Sequence, residues 1–162
     1  MNTQEIAGTV ATLFGELVDG APSSGAYMLN AGDPGMLRSL DKLSAVAAST
    51  PTPTGSSIAA HVDHVRYGLS LMNRWSAGDN PFKDADWSAS WKNVSVTDDQ
   101  WRRLRADLRA ETKRWLHALS TAREVQEIEL NGMIGSIAHL AYHLGAIRQI
   151  NSLLRGPVEG NS

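Results

Sequence analysis

From residue 133 to residue 155 the chain reads as one helix that is apolar almost all the way round. Ile134, Ile137, Leu140, Leu144, Ile147, Ile150 and Leu154 fall on every side of it. Such a helix is expected to be largely buried. Other elements must surround it. The remaining patterns supply only helices for that task. Ile6, Val10, Leu13 and Leu17 form a stripe over 3–20, with Thr3 placed to cap and Gly20 to end it. Leu37, Leu40, Leu43 and Val46 predict a short helix over 36–48. Ile58, Val62, Val65, Leu69 and Met72 predict a helix over 57–76. Thr97, with Gln100 three residues on, opens a helix over 97–120 with a capping box.

Breakers separate these segments. STPTPTGSS (49–57) is rich in Pro, Ser and Thr, and Asn131-Gly132 closes a predicted connection at 122–132. Gly156-Pro157 provides a stop for the last helix. The one strand candidate, EVQEIEL (124–130), alternates weakly and has no partner. The expected fold is all-α: a four-helix bundle with one extra short helix and long crossover loops at 21–35 and 77–96. With 162 residues, 42% of them hydrophobic, one domain over 1–157 is expected, followed by a flexible tail at 158–162.

Composition narrows the function. A formal net charge of −2 without any basic run gives no footprint for nucleic acid or an anionic membrane. The absence of cysteine removes disulfides, thiolate metal sites and Cys nucleophiles. No apolar stretch reaches the length of a membrane span, and the N-terminus lacks the pattern of a signal peptide. A cytoplasmic protein is the expectation. Gly-rich phosphate loops, Ser nucleophile motifs and paired carboxylates are missing too.

Histidine carries the remaining chemistry. His139 and His143 are four residues apart, so on a helix they share a face and can converge on one ion. A facing helix can add a third imidazole, and three protein ligands leave a position for water or substrate. The segment SIAAHVDHV (57–65) offers His61 and His64. On a helical wheel His61 lies about 60° from the centre of the apolar stripe and His64 about 120°. Periodicity thus favours His61, while Gly68 and Ser57 leave room beside His64. Buried histidines tied to carbonyls or carboxylates are the competing explanation, because any buried imidazole needs a partner. His117, on the most charged helix, reads as a surface histidine. Trp75, Trp87, Trp91, Trp101 and Trp115 read as core or loop anchors, and nothing selects Asp63 or Glu111 as supporting groups.

The segment HLAYHLGAIRQ (139–149) resembles the closing HxxxH element of the DinB-like superfamily of four-helix metal proteins, and SIAAHVDHV resembles its upstream ligand segment. Ala146 departs from the family pattern, which usually has Gln there. The resemblance implies a three-histidine divalent metal site. Counted from Ser57 and Ile58, the family register puts the third ligand at His64, beside His139 and His143, with His61 as a companion. It implies zinc or nickel, with iron also compatible, and activities such as thiol-dependent S-transfer with a low-molecular-weight thiol or another small molecule. It also implies a homodimer. The alternative is a non-enzymatic helical module that binds a ligand or dimerises, with a structural metal or merely buried histidines.

Overall fold

The computed structural model describes residues 3–158, and among them every regular element is helical. The all-α class read from the sequence is what the chain adopts. Six α-helices follow in order: α1 (Thr3–Asp19), α2 (Gly35–Leu40), α3 (Ala45–Ala48), α4 (Ile58–Ser76), α5 (Asp98–Ser120) and α6 (Glu127–Ile150). Short 3₁₀ turns occupy Pro81–Asp84, Ala89–Trp91 and Ser152–Leu154. Of the expected tail, residues 159–162 lie outside the described residues. None of the described helices is long and apolar enough to cross a membrane.

The four long helices share one core. α4 packs on α5 and α6, and α1 packs on the same two helices. Phe14, Leu17, Ile58, Val62, Leu108, Leu140 and Ile147 meet there, all buried. Trp115 adds a polar tie, its indole N–H donating to Ser136 Oγ on α6 at 2.8 Å.

Capping residues act at three of the long helices, although Thr3, expected to cap α1, is instead its first described residue. Gly20 follows α1 with φ 103°, a conformation that side chains resist. Ser57 caps α4, accepting from the amide of Ala60 at 3.2 Å. Thr97 and Gln100 form the reciprocal pair that opens α5.

Three boundaries differ from the sequence reading. The predicted 36–48 helix is broken into α2 and α3. Ser44 caps α3 instead of continuing a helix, accepting from the amide of Ala47 at 3.2 Å. The Leu43 carbonyl turns away to accept the Trp101 indole N–H at 2.9 Å. The 122–132 connection is also shorter than expected, because α6 begins at Glu127 and absorbs residues 127–130 of the strand candidate. Glu129 reaches back to accept from the amide of Gln126 at 3.0 Å. Asn131-Gly132 is therefore helical rather than a turn. The small residue answers a packing demand: a Cβ at Gly132 would lie 2.5 Å from the Trp75 ring. At its far end α6 stops at Ile150, five residues before the predicted limit. There the Asn151 side chain accepts from the amide of Leu153 at 3.1 Å.

The long loops do lie against the helices. Amides of Tyr27, Met28 and Leu29 all donate to the buried carboxylate of Glu16 on α1. The 3₁₀ turns of the 77–96 loop pack on α4.

Candidate metal centre

The first two turns of α4 are buried without interruption from Ile58 to Val65. This follows from position: α5 and α6 pack on the helix, and the 89–91 turn covers this half of it through Ser90 and Trp91. Both His61 and His64 are consequently buried, at 7% and 8% exposure. The wheel calculation assumed one wet face and could not discriminate between them.

From α6 come His139, half-buried, and His143, fully buried. The Nε2 atoms of His64 and His139 are 3.1 Å apart, and those of His143 and His139 are 3.0 Å apart. Ligand atoms of His64, His139 and His143 all lie within 4.8 Å of one another, a spacing that could hold one metal ion. His61 joins from the other side: its Nδ1 is 2.8 Å from Nδ1 of His143. His117 stands apart, exposed near the end of α5.

The hydrogen bonds around these rings determine where their lone pairs point. Ser90 Oγ donates its single proton to the Trp87 carbonyl at 2.7 Å. Its contact with His64 Nδ1, at 2.8 Å, must then be one it accepts. The proton of a neutral His64 thus sits on Nδ1, and Nε2 presents a lone pair to the cluster. His61 Nδ1 stands at the same position relative to His143, 2.8 Å from its Nδ1, where a proton donated by His143 would have the same effect. This is the usual outer arrangement of a ligating imidazole, in which the second nitrogen is hydrogen-bonded away from the ion.

Burial also sets the charge. It lowers the pKa of His61 and of His139 below the ordinary imidazole value. His64 is brought down to about 4 by burial first, then by the nearby His139 and His61 rings. His143 is brought down to about 3 by burial, with His139, His61 and His64 adding to it. All four rings are neutral at pH 7, the form that ligates a metal. The donor set therefore fits a divalent ion.

Aromatic rings from the 77–96 loop close the group. Trp91 stacks on His64 with centroids 4.4 Å apart and meets His61 edge-on at 5.1 Å. Trp87 lies 5.6 Å from His64. No sequence signal marks Ser90, which is one serine among several in an irregular loop, and the two tryptophans read only as anchors. Asp63 and Glu111 are engaged elsewhere. Asp63 pairs with Arg66 at 2.7 Å and accepts from Asn93. Glu111 pairs with Arg114 and accepts from Asn73.

No family profile, curated protein or solved structure matches this chain.

Proposed function

We propose that His64, His139 and His143 hold one divalent ion and that the chain is a metal-dependent enzyme acting with a low-molecular-weight thiol, in the manner of DinB-like S-transferases. The observation that carries the metal reading is the convergence of three neutral imidazoles from two helices, with the His64 tautomer set by Ser90. Three nitrogen donors suit zinc or nickel, and iron is compatible. When bound, such an ion supplies a positive centre that favours the deprotonated form of a water or thiol. The chain's own residues do the rest. Ser90 and His61 orient two of the imidazoles, and Trp91 excludes water from the face of His64. The cytoplasm, where small thiols stay reduced, is the proposed setting. Elemental analysis of untagged protein tests the reading: about one ion per chain is expected, and a metal-free protein after zinc loading and desalting removes it.

A second reading has its own support. Asp63, next to His64 in sequence, is committed to Arg66 and Asn93, so it does not stand ready as a general base. That favours a helical module with a structural ion. Turnover of a thiol conjugate by the zinc-loaded protein separates the two readings.

We also propose a homodimer through α6. Residues 130–147 carry no charge, yet Ile134 and Tyr142 are exposed on this helix, at 53% and 68%. Light scattering at twice 17.5 kDa is the expected result. A 17.5 kDa particle across the micromolar range contradicts it.

A further inference from the structure

Small residues on α4 and α6 leave a gap between the two helices. It has a volume of about 170 Å³ and opens to solvent. Val65, Leu69 and Met72 form one wall and Leu140 contributes to the other, with Gly68 and Gly135 providing the space and Trp87 standing over it. His139 lines the same gap, so it is continuous with the histidine group. We infer that this cavity is the subsite for a compact apolar group, one six-membered ring or a short alkyl chain, on a ligand whose polar end meets the histidines. The inference rests on the reading of those histidines as the chemical centre.

Three observations set the ligand class. The first is size. An apolar cavity of about 150 Å³ is enough to hold benzene, so 170 Å³ admits one ring but not two. The second is polarity. Besides the indole edge of Trp87, only Ser136 and His139 bring polar side-chain atoms to the lining. The Ser136 hydroxyl is already occupied, accepting from Trp115 and donating to the Met133 carbonyl. A charged or strongly hydrated group would find nothing there to replace its water. The third is direction. With the apolar end toward Met72 and Gly132, about two turns of α6 from His139, the open end of a ligand is left at His139, where its donor atom belongs.

Benzene and two thiols test this. In metal-free protein, benzene is expected to give saturable NMR shifts confined to the methyls of Val65, Leu69 and Leu140. Gly135→Leu reaches across the gap from a position where an added Cβ meets nothing within 4 Å, so the variant should fold. Gly68→Ala narrows the gap from the other helix, its Cβ within 3.4 Å of Trp87. Each should weaken benzene binding, the first by about tenfold or more. On zinc-loaded protein, phenylmethanethiol should bind about ten- to hundredfold more tightly than 2-mercaptoethanol. Absence of saturable shifts, shifts unchanged in both variants, or equal affinity for the two thiols overturns the subsite. Benzene binding by a chain that takes up no zinc supports the subsite and removes the metal reading instead.

Discussion

Ser90 Oγ lies 2.8 Å from Nδ1 of His64, and the serine's only proton is directed at the Trp87 carbonyl. A loop residue thereby sets the tautomer of a buried ring on α4. Ser90→Ala should keep the fold and one zinc per chain while weakening affinity by about 10- to 100-fold. Ser90→Thr should restore most of it. Competition against a chromophoric chelator reads both, and an Ala variant as tight as the parent would show that the hydroxyl does not orient the ring for a metal.

The histidines should separate into three behaviours. His64→Ala, His139→Ala and His143→Ala should each abolish stoichiometric metal, because each removes one of three donors. His61→Ala should lower affinity without changing stoichiometry, since His61 touches His143 on the nitrogen that faces away from the cluster. His117→Ala should change nothing. Metal per chain decides the matter. Full retention in both His139→Ala and His143→Ala would sink the site, while loss in His61→Ala with retention in His64→Ala would exchange the third ligand.

Acid should destabilise the metal-free protein before any carboxylate titrates. The lowered pKa values of His64, about 4, and His143, about 3, mean that the folded chain holds fewer protons than the unfolded one. The stability they contribute is complete above about pH 6.5 and falls as pH drops through the window down to those values. Urea midpoints between pH 7.5 and 5 should therefore decline. The decline should flatten in a His64→Gln/His143→Gln variant, and an equally steep decline there would assign it to other groups.

Glu16 anchors the first long loop. Burial alone would raise its pKa, but the amides of Tyr27, Leu29 and Met28 outweigh burial and hold it below the usual value. Glu16→Ala leaves three amides without their acceptor and should cost about 3 kcal/mol or more. Glu16→Gln keeps an acceptor oxygen and should cost less. Chemical denaturation measures both, and an Ala variant within 1 kcal/mol of the parent, about the size of one ordinary hydrogen bond, would contradict this account.

Two glycines on α6 should respond in opposite directions to the same change. At Gly135 a Cβ meets open space, so Gly135→Ala should stabilise the helix by up to about 1 kcal/mol. At Gly132 the Cβ would strike the Trp75 ring, so Gly132→Ala should destabilise by about 1–3 kcal/mol and alter the tryptophan fluorescence. Equal effects at the two positions would mean that Trp75 yields freely.

The all-α class and the spans of α1, α4 and α5 were legible because apolar spacing and capping residues agree there. Where tertiary contacts outrank local signals, reading failed. Asn131-Gly132 has the composition of a turn, but its glycine accommodates Trp75 within a helix. The break at 41–44 depends on Trp101, which lies 58 residues from the carbonyl it engages. The pairing of His139 with His143 was visible as a spacing of four. The positions of His61 and His64 were not resolvable by periodicity, because α4 is enclosed on all sides over its first two turns. The Ser90 contact joins residues 26 apart, across the rest of α4 and an irregular loop, and leaves no pattern to read.

The histidines that approach one another belong to helices far apart in sequence, His64 and His139 being 75 positions apart. An ion held by both would act as a removable cross-link. It would close most of the polypeptide between α4 and α6 into a loop, with α5 inside it. That restraint is absent from the unfolded chain and can form only once the two helices have docked. Metal capture would then come late in folding and act chiefly on escape from the native state, slowing unfolding while leaving the rate of collapse almost untouched.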